Sequence, residues 1–371
     1  MTSTLPLLPT APTAPTAPAA VPPVPAPVGR VRTAAAWTAV AATAPYLTLK
    51  LLWLTGHPVG AGDAEAMDDL WLLNLLTFGM DAIAVVLALA FVRPWGRRAP
   101  AGLLAFPMWV ATGLLGTILV ALPLFLLSSL VLGPEAARPG SDEGPSGWVF
   151  TVVYGGFAVQ GLALITGFLL YARERWAGLL HRDRIGDLPH SPTLTTQRAF
   201  ACVAALLAAG VAAARLYWAF GGAAGLPVTW QEQRGRSVAI MDAVTAVMAV
   251  TAVAALLVLV FRRRPEWRLR GPLAVLWTAA GSVFAWGSWQ LVAFGTSVTA
   301  PADPRAAVPG LLPLVESVQV VTGLLVLAVG AVALVERAAA GAVRDTAWAA
   351  ATGPASGTPE APGGADVESG K

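Results

Sequence analysis

Two stretches of this chain set a cation inside an apolar run at the same spacing. LKLLWLTG (49–56) carries Lys50, Trp53 and Gly56, and ARLYWAFG (214–221) carries Arg215, Trp218 and Gly221. Two further apolar segments hold Met80-Asp81-Ala82 and Met241-Asp242-Ala243. An ionised side chain at the centre of a bilayer costs about 2.5–3.5 kcal/mol on insertion scales and about 10 or more in simulations. Such residues persist when they pair, face a cavity or exchange a proton. The spacing pairs Lys50 with Asp81 and Arg215 with Asp242, each an intramembrane ion pair joining the two helices of a hairpin. Pairs of this kind either clamp helices or handle a solute. One transport site needs one constellation, whereas the pairs come twice, so their duplication favours the clamp.

Glu316 breaks the pattern. Its position in the first half is taken by Phe157. Counted over helices alone, the first half is neutral and the second carries one excess acid. Glu316, Gln319 and Gly323 fall on one helical face by their i, i+3, i+7 spacing. A surplus carboxyl there is a candidate site for a substrate, proton or cation, with Gln319, Gln290 and Gln160 as further polar members. The competing readings put Glu316 near the outer headgroups, or let it share Arg215 with Asp242. Intramembrane glutamines serve more often as hydrogen-bond glue between helices than as ligands.

Other chemistry is absent from the sequence. There is no HExxH, no P-loop pattern and no GxSxG elbow. No histidine lies in an apolar segment, so no metal site, haem or other cofactor is expected, and without a nucleophile–base set the chain does not read as an enzyme. His57 lies in a loop with Asp63, Glu65, Asp68 and Asp69, which reads as a solvated acidic loop.

The elements that must position these residues are set by composition. The chain has 371 residues, 56% hydrophobic and 12% charged, with a mean hydropathy of +0.66. Soluble domains carry about 25% charged residues, so the natural solvent is the lipid bilayer. The formal charge of +3 does not signal nucleic acid, because the arginines sit in short runs between apolar segments. The near-absence of lysine beside abundant Ala, Gly and Pro fits a GC-rich bacterial genome. The single cysteine, Cys202, precludes an internal disulfide.

Eight apolar segments are each long enough for the roughly 20 residues that cross the hydrocarbon core: 33–55, 70–92, 102–132, 148–171, 199–221, 237–261, 271–295 and 311–335. The third contains Pro107 and Pro123, which predicts tilt or a kink. Of the 24 Lys and Arg residues, 18 fall in the loops and tails on one side of these segments and 4 on the other. The positive-inside rule then places both termini in the cytoplasm of a multi-pass plasma-membrane protein. Residues 1–30, with a repeated TAP triplet, read as a disordered tail, as do 338–371, although 336–350 has the composition to continue as a helix.

The echoes recur in order: Lys50 and Arg215 at an offset of 165, the Met-Asp-Ala triplets at 161, Trp109-x-x-x-Gly113 and Trp277-x-x-x-Gly281 at 168, and Val159-Gln160 and Val318-Gln319 at 159. Four matches in one order point to a duplicated module. The expected fold is all-α and polytopic, with eight transmembrane helices as two parallel four-helix repeats (31–171 and 199–337). Four crossings per copy is even, so the pseudo-two-fold axis runs along the membrane normal. The linker 172–198 reads as an exposed connector. Two functions fit: a transporter-like protein whose polar site takes a small solute or ion between the repeats, or a membrane scaffold without transport.

Overall fold

The computed structural model describes residues 29–60, 70–133, 147–176, 184–188, 191–227, 230–231, 234–299 and 310–352. The N-terminal tail to residue 28, the four carboxylates after His57, the linker histidines His181 and His190, and the tail beyond 352 lie outside them. Nine α-helices make up the described fold: α1 (Arg30–Leu54), α2 (Trp71–Val92), the short α3 (Pro94–Arg98), α4 (Ala101–Leu132), α5 (Gly147–Arg175), α6 (Leu194–Ala219), α7 (Arg236–Val260), α8 (Arg270–Thr299) and α9 (Leu312–Thr352). Among the described residues the only β pairing is an isolated bridge between Arg184 and Arg268.

Six helices are long and apolar enough to cross a membrane: α2, α4, α5, α6, α7 and α9 as far as Gly341. Helices α1 and α8 are as long, at 25 and 30 residues, but are not among the six. Helix α4 runs 32 residues through Pro107 and Pro123 without a break, as interior prolines can where neighbouring helices re-satisfy the freed backbone groups. Helix α9 continues to Thr352. The stretch 338–352 therefore prolongs a helix, and the expected tail does not begin at 338.

Helix ends explain the opening motif. Gly56 and Gly221 each take a left-handed conformation (φ 79° and 92°) just past α1 and α6, a conformation that costs glycine nothing and ends a helix. The tryptophan three residues earlier closes each turn. Trp53 Nε1 donates to Val59 O at 2.9 Å, and Trp218 Nε1 donates to Ala224 O at 3.1 Å. The cation lies over the same ring, Lys50 at 5.2 Å from the Trp53 centroid and Arg215 at 5.7 Å from that of Trp218. The cation-x-x-Trp-x-x-Gly spacing is thus a helix stop whose indole caps the turn and whose π face holds the charge.

Helix α1 packs between α2 and α5, and α6 packs between α7 and α9. Helices α4 and α8 cross at the centre, where a Cβ on Gly113 would lie 2.1 Å from the carbonyl carbon of Gly281. Thr117 and Ser282 share a hydrogen bond beside the crossing, and Trp109 stacks on Phe284 at 5.0 Å. One hydrophobic core fills the α6–α9 half and takes in Trp109, Ala121 and Phe125 of α4. The other fills the α1–α5 half.

At the end carrying the start of α1, Arg32 donates to Glu174 of α5 at 2.5 Å. Gln197 of α6 donates to Glu336 of α9 at 2.8 Å. Arg32 and Gln197 are separated by 165 positions, the offset that relates Lys50 to Arg215. Among the described residues of the linker, expected to be an exposed connector, one stretch docks on the bundle. Ile185 is fully buried, and Ile185 N and Gly186 N donate to Trp267 O and Pro265 O of the α7–α8 loop.

Candidate functional site

The polar side chains gather into two clusters at the end of the bundle opposite Arg32 and Glu174. Each lies near the end of a first helix and the start of a second, because a cation four residues from the end of α1 or α6 is only about 6 Å along the axis from that end.

In the second cluster Arg215 is the hub. Its Nη1 donates to Asp242 Oδ1 of α7 at 2.9 Å, its Nη2 donates to Glu316 Oε1 of α9, and the same Nη2 reaches Gln319 Oε1 at 3.1 Å. Gln319 passes the network to α8 by donating to Val283 O at 3.1 Å. Arg234, in the turn before α7, donates through Nη2 to Asp242 Oδ2 at 2.9 Å and to Trp218 O at 2.5 Å. Two arginines therefore meet two carboxylates and the cluster is neutral. The expectation of a surplus acid fails for this reason: Glu316 shares Arg215 with Asp242, and Arg234, which by sequence belongs to a loop, restores the balance. Arg215, Asp242, Glu316 and Gln319 are all buried. Two polar atoms in this cluster, Arg215 Nε and Glu316 Oε2, are buried without a hydrogen-bond partner.

The first cluster holds Lys50, Asn74, Asp81 and Gln160, again all buried. Lys50 Nζ donates to Asn74 Oδ1 at 2.6 Å and sits 5.0 Å from the Tyr46 ring centroid. Lys50 and Asp81 form no direct ion pair among the described residues. Asp81 instead lies beside Gln160 and feels Lys50 only through space. The reason lies in the two cations. A guanidinium forks between two carboxylates, while an ammonium on a flexible stem is a single point charge, and here it reaches a neighbour seven positions before Asp81. The expected pair is thus met in the second half and replaced by Lys50–Asn74 in the first. Asn74 and Arg234 are the members that sequence spacing does not single out as partners.

A cavity of about 180 Å³ opens beside the second cluster. Arg215, Arg234, Asp242, Gln290 and Gln319 supply its charged and amide groups, and Trp218, Trp230 and Trp286 its broad apolar walls. Gln290 of α8 reaches the cavity without joining the hydrogen bonds of the cluster among the described residues. Gln160 lies in the other half and does not line it. Among the described residues no group of three metal-ligating side chains occurs, and His57 is exposed beside Thr55. Cys202 is exposed on α6.

Comparison of the chain with protein-family models, curated proteins and solved structures finds no match.

The two clusters differ in what a lost carboxylate leaves behind. Asp242→Asn leaves Arg234 and Arg215 facing one acid, and breaking a buried pair costs about 3–5 kcal/mol. Asp81→Asn breaks no direct ion pair and keeps an oxygen acceptor in place, a loss of about 0.5–1.5 kcal/mol, the net worth of one hydrogen bond. Thermal unfolding in detergent is expected to lower the midpoint distinctly more for Asp242→Asn. Equal shifts would show that Asp81 and Lys50 pair as strongly as the second cluster does.

Proposed function

We propose that this chain is a non-enzymatic, eight-span plasma-membrane protein of two parallel four-helix repeats, whose second repeat binds a small polar solute in a carrier-like site. The cavity beside Arg215 carries this reading. It brings two arginines, a carboxylate and two glutamines to one apolar-walled space, the composition expected of a small-molecule site.

The eight-span arrangement is supported by the packing of α1 and α8, each 25 residues or longer and each set among helices apolar enough to span. The repeat is supported by paired details: the tryptophan-capped turns, the first-to-fourth-helix contacts of Arg32 and Gln197, and Gly113 meeting Gly281. The last is what a two-fold axis requires, since a residue on the axis touches its own equivalent. The excess of Lys and Arg on one side favours cytoplasmic termini.

The test is ligand-dependent thermal stability of the purified full chain against a panel of small cations, anions and neutral solutes. A ligand at about 100 times its Kd stabilises by about 2.7 kcal/mol. A solute class that raises the wild-type midpoint and leaves Ser237→Phe, which fills the cavity wall, unchanged supports the site. A panel that shifts nothing overturns it and leaves the scaffold reading. That second reading draws on one observation: both oxygens of Asp242 are already held by arginines, as a purely structural clamp would hold them.

A further inference from the structure

We propose that the cavity beside Arg215 and Arg234 binds a small monocarboxylate together with a proton, the carboxylate on the arginines and the hydrocarbon or ring among the tryptophans. This rests on the reading of the cavity as a solute site, and it names the class of solute.

The hydrogen-bonding capacity left on the wall decides the sign of charge. Asp242 has both oxygens occupied, by Arg215 and by Arg234, and Glu316 is not part of the wall. No carboxylate oxygen is therefore left on the wall to receive a cation. Donors are left. Arg234 makes its hydrogen bonds to Trp218 O and Asp242 through Nη2 alone. Arg215 keeps Nε buried without an acceptor in a side chain that walls the cavity. An Arg fork with unspent N–H groups is the group that planar carboxylates fit best.

Size and walls decide the rest. A cavity of about 150 Å³ holds one benzene, so about 180 Å³ suits a single ring or a short branched chain with one small polar head. Trp218, Trp230 and Trp286, with Leu226, Met241 and Leu312, bury such a body. A strongly hydrated dianion would find too little to replace its water.

Charge balance brings the proton. Arg215, Arg234, Asp242 and Glu316 sum to zero, so an added anion leaves the cluster at one negative charge in a low-dielectric site. A proton from solution on Glu316 Oε2 returns the sum to zero. That oxygen has no hydrogen-bond partner to lose, and Oε1 stays on Arg215. The charged neighbours of Glu316 are Arg215 from α6 and Asp242 from α7, with Arg234 behind Asp242; α8, which packs on the Glu316 backbone at Gly287, carries no ionisable side chain beyond Arg270 at its far end. One O–H bond forms and nothing else changes covalently.

The test uses the full chain in lipid nanodiscs with benzoate as probe and benzamide, its uncharged analogue, as control. Tryptophan fluorescence reports binding, and titration in buffers of different ionisation enthalpy reports proton uptake. Benzoate is expected to bind at least about tenfold more tightly than benzamide, with one proton taken up per benzoate. Arg234→Gln is expected to lose that advantage and Arg234→Lys to keep most of it. Glu316→Gln is expected to bind benzoate with no proton uptake. Equal affinity for the two probes, or full benzoate affinity in Arg234→Gln, overturns the proposal. If Arg234→Gln does not fold, Trp230→Ala decides in its place, and unchanged benzoate affinity there is equally fatal. Failure of benzoate while a cation or neutral solute stabilises wild type and not Ser237→Phe overturns the carboxylate assignment and leaves the solute site standing. Failure of every solute overturns both.

Discussion

Arg215→Met is expected to remove most of the folded protein from the membrane, and adding Glu316→Gln is expected to bring a substantial part of it back. The single substitution leaves Asp242 and Glu316 facing only Arg234, so the buried cluster carries one net negative charge. Glu316 then has lost its cation altogether, since Arg215 is its sole ion-pair partner among the described residues. Stranding a buried charge costs about 3–5 kcal/mol, a large share of the total stability of most domains, about 5–15 kcal/mol. Neutralising Glu316 as well leaves Arg234 with Asp242, a pair already formed at 2.9 Å. Methionine fills the space of the guanidinium stem, which keeps the comparison one of charge and not of volume. Yield of monodisperse protein and its thermal midpoint in detergent are the measurements. If Arg215→Met folds as well as wild type, the cluster is not holding α6, α7 and α9 together. If the double variant is as poor as the single one, charge balance is not the reason.

The same geometry changes what a charge exchange would do. By spacing alone, swapping Arg215 and Asp242 should preserve a two-membered pair. With Arg234 bonded to Asp242, the swap sets an arginine at 242 against Arg234 and an aspartate at 215 against Glu316. Two like-charge contacts then replace two of the three attractive ones, and only the 215–242 pair survives, so the exchanged protein is expected to fail where the simple pair would have survived.

What could be read in advance depended on how local each interaction is. Long apolar helices announce themselves through composition, and the charge hub follows from the cost of burying Arg215 and Asp242. Both are properties of a segment. The spacing of Lys50, Trp53 and Gly56 was visible as a pattern, but its meaning as a capped helix end was not, because the acceptor of each indole lies six residues on in an unremarkable turn. Charge alone assigns Lys50 to Asp81. Its contact is the amide of Asn74, and no rule of spacing distinguishes a carboxylate from an amide two turns away on the same helix. Arg234 was hidden by its loop position. Whether a loop arginine folds back over a buried aspartate depends on the path of the turn, which the residue types around it do not specify. The helix count shows a different limit: length and apolar content predict α1 and α8 as spans, yet neither is among the six helices long and apolar enough to cross a membrane.

Gly113→Ala, one added methyl group, is expected to destabilise the protein by about 1–3 kcal/mol or more, the range of overpacked cores. The upper end applies because the obstruction is backbone. The new Cβ would lie 2.1 Å from the carbonyl carbon and 2.2 Å from the oxygen of Gly281, and a main chain cannot rotate aside as a side chain can. Relief requires α4 and α8 to separate, which loosens Trp109 from Phe284 and the Thr117–Ser282 hydrogen bond. Small residues allow this kind of close approach between helices within a membrane. Gly281→Ala meets the same crossing from the other side, its Cβ 2.6 Å from Trp109 O. Both substitutions push the same two helices apart, so the double variant is expected to cost clearly less than the sum of the singles, as residues sharing one contact do. Gly79→Ala is the control. It lies within α2 with nothing inside 4 Å of the added carbon, and there alanine should be neutral or stabilise by up to about 1 kcal/mol through helix propensity. Thermal midpoints of the four variants separate the outcomes. A Gly113→Ala protein as stable as Gly79→Ala would mean that the two halves do not meet at Gly113 and Gly281, and the two-fold arrangement would lose its axis.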